Sequence, residues 1–254
     1  MMNLIWTYNG KATLNKVSDD RRITLINYYI LSIINAKKLG YHTIIYADTD
    51  SVKYFIDVAH EIVELNDYHN SLQWDSFKIN VLETRNDDYC LIDGDLILKN
   101  TLPDINDGIM FDTYEIGNWK KEYETTIKQF TDLGVSSVVK EWNDTFTPVI
   151  NTSILRFKSN EFKDDYVKKW KELDLWISDM VKSNQIDMDS ASLVGGQYLL
   201  TVMVNYHQIL KFNINQQMGE NGRYYTHYFG ERKFTTPLVP TTHILDTKEI
   251  KKVF

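Results

Sequence analysis

The stretch SDDRRITLINYYILSIINAKKLGYHTIIYADTDS, residues 18–51, decides the fold. Ser18 followed by Asp19 and Asp20 reads as a helix start. A short polar side chain can satisfy free N–H groups there, and acidic residues suit the positive end of the helix dipole. Ile23, Ile26, Ile30, Ile33 and Ile34 recur at helical spacing, Lys37 and Lys38 fall in the last turn, and Gly40 stands where a helix stops. Residues 42–47 are then a β-branched run closed by Asp48-Thr49-Asp50-Ser51, which predicts a strand and a loop. With residues 3–7 as an opening strand, the pattern is a βαβ unit.

Working outward, residues 77–81 read as a short strand and residues 89–98 as a more apolar central one. Residues 119–133 have helical composition, and residues 147–150 lead into 151–157. Phe162, Tyr166, Trp170, Leu173 and Ile177 mark an amphipathic helix. A further helix is expected over about 189–205 and a late strand over 208–212. Strands alternating with helices predict an α/β fold with a mostly parallel central sheet flanked by helices, in a single domain spanning residues 1–254. Ligands of such sheets bind at the carboxyl ends of the strands, where Thr7-Tyr8-Asn9, Asp48-Thr49-Asp50 and Asp93-Gly94-Asp95 all fall. No Gly-x-Gly-x-x-Gly follows the first strand and no Gly-x-x-x-x-Gly-Lys-Ser/Thr occurs, so dinucleotide and P-loop chemistry lose their usual support.

Composition narrows the class. The 254 residues are 43% apolar and 25% charged with only 4 Pro, a folded chain with little room for linkers. The single Cys90 sits in an apolar run and reads as an inert core thiol in a reducing compartment. No window approaches the roughly 20 apolar residues of a membrane span, and the N-terminus lacks a basic leader region, so a cytoplasmic protein is expected. A net charge of −7 disfavours a nucleic-acid partner gripped through a broad basic face, and the local lysine clusters read as solvated helix faces.

Asp93-Gly94-Asp95 carries the chemistry. It places two carboxylates inside the apolar run Tyr89-Cys90-Leu91-Ile92 to Leu96-Ile97-Leu98. A buried ionised carboxylate costs several kcal/mol unless it is paired or bound to a metal, so a cation or a hydrogen-bond cage is expected here. A second cluster, Thr226-His227-Tyr228-Phe229-Gly230-Glu231-Arg232-Lys233, offers an imidazole for a metal, a glycine for close backbone approach and a lysine for a phosphate. The bland readings are that Asp93 and Asp95 cap a turn or flank a salt bridge and that His227 is a core histidine.

The Asp-x-Asp pattern resembles the metal-binding motif of GT-A nucleotide-sugar glycosyltransferases. His227, Gly230 and Lys233 resemble the His-x-x-Gly-x-x-Lys motif of family 8, the glycogenin and bacterial galactosyltransferase group. The resemblance implies a GT-A domain with its nucleotide part at about 1–100 and its sugar and acceptor part at about 101–254. It implies a divalent metal, manganese or alternatively magnesium, on Asp93, Asp95 and His227, and a UDP-sugar donor touching Thr7, Tyr8, Asp48, Asp93, Asn151, Gly230 and Lys233. Asn151-Thr152-Ser153 looks like the family's Asn-Thr-Gly strand. Gln197 is placed near the reactive face of the sugar, with retention of configuration, and Asp189 is the candidate base for an inverting route. By themselves Gln197 reads as an ordinary helix residue and Asp187-Met188-Asp189 as a helix N-terminus. The sequence departs from the family where Gly196 precedes Gln197 in place of an acid and where Phe234-Thr235 replaces Pro-Trp.

The expected activity is transfer of a sugar to an acceptor hydroxyl on a glycan, a protein or a DNA base. The rivals are a metal-dependent hydrolase or nucleotidyltransferase using the same aspartates, and an inactive sugar-binding scaffold. Residues 216–233, with three glycines among polar residues, are expected to form a lid.

Overall fold

A computed structural model of the chain describes residues 2–10, 18–65, 73, 75–117, 119–214 and 224–228. Strands and helices alternate in the order β1 (Asn3–Tyr8), α1 (Asp19–Lys38), β2 (His42–Asp48), β3 (Glu61–Leu65), α2 (Ser76–Thr84), β4 (Tyr89–Ile92) and β5 (Leu96–Leu98). There follow β6 (Ile109–Phe111), β7 (Tyr114–Glu115), α3 (Lys120–Asp132), β8 (Val149–Ile150), β9 (Ile154–Phe157) and α4 (Asn160–Lys182). The last elements are α5 (Met188–Leu193), a π-helical segment (Val194–Tyr198), α6 (Leu199–Tyr206), β10 (Lys211–Asn213) and β11 (Tyr225–His227). The chain divides into two units, one of residues 1–66, 89–103 and 219–254, the other of residues 67–88 and 104–218.

In the first unit β4, β1, β2 and β3 lie side by side and parallel, with Ile5 opposite both Ile44 and Leu91. Leu4, Ile5, Trp6, Ile44, Ile45, Ala47, Cys90 and Leu91 are all buried, the near-continuous apolar runs of strands covered on both faces. Helix α1 makes the crossover and ends as its sequence predicts. Gly40 has φ 87°, Gly40 N–H donates to Lys37 O and Tyr41 N–H to Ala36 O, which closes the last turn with a glycine in the left-handed region. Trp6 Nε1 donates to Ser32 Oγ at 2.9 Å, and Ser32 Oγ donates in turn to Leu96 O, so a buried relay runs from β1 through α1 to β5. Strand β5 pairs antiparallel with β11.

In the second unit β6 pairs parallel with β10 and antiparallel with β9, while β7 and β8 form a short antiparallel pair. Helix α4 begins at Ser159, whose hydroxyl caps Phe162 N–H, and buries Phe162, Tyr166, Trp170, Leu173 and Ile177 as its spacing predicts. Arg156 on β9 is buried and forks onto Asp88, with Asp104 at 2.8 Å, so an ionic clamp fixes the strand. Strand pairing is mostly parallel, and the mixed α/β class read from the sequence is the class observed. Among the described residues no helix is long and apolar enough to cross a membrane.

Three readings change. Residues 77–81 alternate apolar and polar like a strand but lie in helix α2, because the polar member Lys78 is itself buried and its ammonium donates to Thr152 O at 3.1 Å. Residues 89–98 are two strands in different sheets, broken by the turn at Asp93-Gly94-Asp95. The late strand starts at Lys211, since Gln208 takes φ 53° to end α6 and cannot lie in a strand.

Candidate active site

Strands β1, β2 and β4 end together because they are parallel. Tyr8 is opposite Ala47, so Asp48 follows one residue on, and the pairing of Ile5 with Leu91 brings Thr7 and Asp93 to the same end of the sheet. Asp48 is buried and accepts from Ser51 N–H at 3.1 Å, from Ser51 Oγ at 3.0 Å and from Gly10 N–H. It locks the turn after β2 onto Gly10, two residues beyond β1. Tyr8 is buried edge-to-face against Tyr29 and Phe55, and its hydroxyl has no hydrogen-bond partner.

Tyr29 organises the aspartate turn. Its hydroxyl donates to Thr7 O at 3.0 Å, and its ring lies against Gly94 so closely that any Cβ there would collide with it. Glycine is therefore the residue that lets two aspartates flank an aromatic ring. Burial pushes the Tyr29 hydroxyl well above its ordinary value, and the charges of Asp93 and Asp95 add to this. Burial and then the charges of Tyr228 and Asp95 push Tyr28 up to about 12. For both tyrosines burial is the larger cause, and the aspartates add a smaller push in the same direction.

His227 reaches this turn through strand register. Tyr225, Thr226 and His227 lie opposite Leu98, Ile97 and Leu96, and the next residue, Tyr228, donates its N–H to Asp95 O at 2.9 Å. His227 Nε2 then stands 3.5 Å from Asp95 Oδ1, the side chains 9% and 13% exposed. Ligands of one small divalent ion lie roughly 3 Å apart, and an imidazole nitrogen with a carboxylate oxygen is a donor set that suits manganese better than magnesium, which favours oxygen alone. Tyr28, Leu31, Ile97 and Tyr228 pack into a small cluster that holds both strands against α1. Among the described residues no three His, Cys, Asp or Glu side chains gather as a complete metal group, so Asp93 shares the turn without closing on the Asp95–His227 pair.

In the second unit Gln197 and Asn151 belong to one buried network. Gln197 Oε1 accepts from Thr152 N–H at 3.1 Å, and its Nε2 is 3.5 Å from the Tyr123 hydroxyl. Tyr123 donates to Glu115 Oε2 at 2.6 Å, and Asn151 Nδ2 donates to Glu115 Oε1 at 2.7 Å. Asn151 Oδ1 accepts from Ser153 N–H at 2.8 Å. Both predicted residues are thus fixed at each end of their amides, and a satisfied polar network of this kind is rigid.

The chain is similar to the galactosyltransferase LgtC. With a crystal structure of that protein in complex with donor and acceptor sugar analogs the identity is 11%, over 78% of this chain and 71% of that one, at a TM-score of 0.43. An active-site mutant of LgtC gives 12% identity over 77% and 70%, at 0.41. HddC from Yersinia pseudotuberculosis gives 13% identity over 48% of this chain and 62% of that chain, at 0.33. Neither a protein-family model nor a curated protein sequence matches the chain.

Gly230 and Lys233 lie outside the described residues, as do most of residues 216–233, within which Tyr225–His227 is strand β11. The backbone of Asp189 lies in α5, and its side chain lies outside what is described. Sequence reasoning missed Tyr29, Glu115, Tyr123, Lys78 and Asp75. Asp75 was legible in principle, as an aspartate directly before a helix, and was hidden by reading α2 as a strand.

Proposed function

We propose that the chain is a glycosyltransferase that moves a sugar from a nucleoside diphosphate donor, UDP-linked, to an acceptor hydroxyl with the help of a divalent ion. The observation that supports it most is the Asp95–His227 pair at the end of the parallel strands, where a half-buried carboxylate and a buried imidazole face each other beside a second aspartate. Asp93, Asp95 and His227 would hold the ion, manganese or in its place magnesium. When bound, such an ion supplies Lewis-acid neutralisation of the charge that builds on a leaving diphosphate, worth several kcal/mol.

The residues of the chain divide the remaining tasks. Thr7, Tyr8 and Asp48 would receive base and ribose, Gly230 and Lys233 the diphosphate, and Asn151 and Gln197 the sugar. The nucleotide part would lie at about 1–100 and the sugar and acceptor part at about 101–254 of one domain. Gln197 is a neutral amide clamped by Thr152, which orients a substrate better than it attacks one, in keeping with retention of configuration. Asp189 is the base that an inverting route would use. Incubation with UDP-glucose or UDP-galactose and manganese, followed by quantitation of free UDP, tests this. Release that stops on chelation is expected. Absence of both UDP release and manganese-dependent UDP binding overturns the reading.

A further inference from the structure

An aspartate at the N-cap of a helix ordinarily turns its carboxylate onto the first free N–H groups of that helix. Asp75 occupies the N-cap of α2 and makes no such bond. Its carboxylate points instead at the π-helical segment of the second unit. Oδ2 accepts from Trp170 Nε1 at 3.3 Å and lies where a Cβ on Gly196 would have to be. Oδ1 is buried without a hydrogen-bond partner, in a residue that is 5% exposed.

An orphaned carboxylate oxygen in such a place costs stability unless something donates to it. The charge of nearby Lys78 lowers this cost, while its ammonium donates to Thr152 O and Oδ1 keeps no hydrogen-bond partner. Burial holds the Asp75 carboxyl up to about 6, so at neutral pH it is ionised, with Trp170 donating to one oxygen and the other left without a hydrogen-bond partner. Its surroundings look prepared for it. Gly195 and Gly196 leave the wall of the π segment bare, and Gln73 and Asp75 occupy the two openings. A π segment is less stable than the helix it interrupts and is frequently retained at functional sites. The next residue in this segment is Gln197, whose amide is bound to Thr152, the residue that also receives Lys78.

We propose that Asp75 is a specificity-determining residue for the transferred sugar, its free Oδ1 accepting a hydrogen bond from a sugar hydroxyl beside Gln197. The inference rests on the glycosyltransferase reading and adds to it the group that reads the hydroxyl. A charged acceptor that meets a hydroxyl makes a strong bond, and a site built around such a bond rejects an analogue lacking that hydroxyl by large factors.

The test compares the native protein with Asp75→Asn, which keeps volume and the Trp170 contact, and with Gly196→Ala, which displaces the carboxylate from the opposite side. Binding of UDP with manganese is measured by calorimetry, and kcat/KM is measured with UDP-glucose, UDP-galactose and their deoxy-sugar counterparts. UDP affinity is expected to stay within twofold in both variants. The kcat/KM for the preferred donor is expected to fall at least tenfold, and the discrimination against one deoxy donor to collapse. UDP binding with unchanged donor preference in both variants overturns the Asp75 assignment and leaves the transferase reading standing. Absence of UDP binding by the native protein overturns both.

Discussion

His227 Nε2 lies 3.5 Å from Asp95 Oδ1 because β11 pairs with β5 in a register that ends on the Tyr228 N–H to Asp95 O bond. If the two side chains share one ion, removing either should cost most of what removing both costs, since groups acting on one ion are coupled. His227→Ala and Asp95→Asn should each weaken manganese-dependent UDP binding by at least about tenfold, or ~1.4 kcal/mol, and the double variant by far less than the sum. Calorimetric titration supplies the four affinities, and full additivity would return His227 to the role of a core histidine.

Gly94→Ala should strike the Tyr29 ring, which cannot move aside because its hydroxyl is tied to Thr7 O and its edge meets Tyr8. Overpacking of this kind costs about 1–3 kcal/mol. For a chain of this size that lowers the thermal midpoint by roughly 2–12 °C. Adding Tyr29→Leu to make room should recover much of the loss. An unchanged midpoint in the single variant would show that the ring is not the obstacle.

Ser32→Ala breaks the relay from Trp6 to Leu96 and leaves the indole N–H and the carbonyl buried without their shared hydroxyl. The expected destabilisation is about 1–3 kcal/mol. Because Leu96 adjoins Asp95, amide hydrogen exchange should quicken in β5 and β11 before it does in β2. Uniform quickening across the unit would mean that the serine supports the sheet generally and does not hold β5 in place.

Asp75 gives stability a predictable pH dependence. Its carboxyl is pushed from an ordinary 3.8 up to about 6, chiefly by burial. Lys78 and Trp170 pull it down, and Asp174 on α4 works with burial. The folded chain keeps a proton that the unfolded chain has released, so stability falls as pH rises from about 4 to about 6 and then levels, by roughly 3 kcal/mol. Asp75→Asn should remove that slope and raise stability above pH 6. Urea midpoints at pH 4, 5, 6 and 7.5 give the comparison, and parallel profiles for the two proteins would contradict it.

Much of the first unit was legible because its signals are local. The isoleucine spacing of α1, the Lys37-Lys38-Gly40 ending and the apolar runs of β1, β2 and β4 each state an element within a few residues. Lys78 defeated the same logic in α2, since a lysine that buries its stem and bonds a distant carbonyl mimics the solvent face of a strand. The π segment left no pattern beyond two adjacent glycines, whose use depends on Gln73 and Asp75 arriving from elsewhere in the chain. At the site, residue types raise the expectation of a cation, but the meeting of His227 with Asp95 is a matter of strand register, and period alone does not report register across so long an interval. Glu115 and Tyr123 carry no motif. They matter because they hold Asn151 and Gln197, a relation that exists in the folded unit alone.

The pairing of β5 with β11 also sets a timetable. His227 follows Asp95 by 132 positions. At 5–20 residues per second, a ribosome delivers the imidazole roughly 7–26 s after the aspartate. Throughout that interval β5 lacks the strand it pairs with in the folded chain, and the aspartates of its turn lack the histidine that faces Asp95. A cation captured early would be held by oxygen alone, and the switch to a mixed oxygen and nitrogen donor set would mark the moment at which the late strand docks.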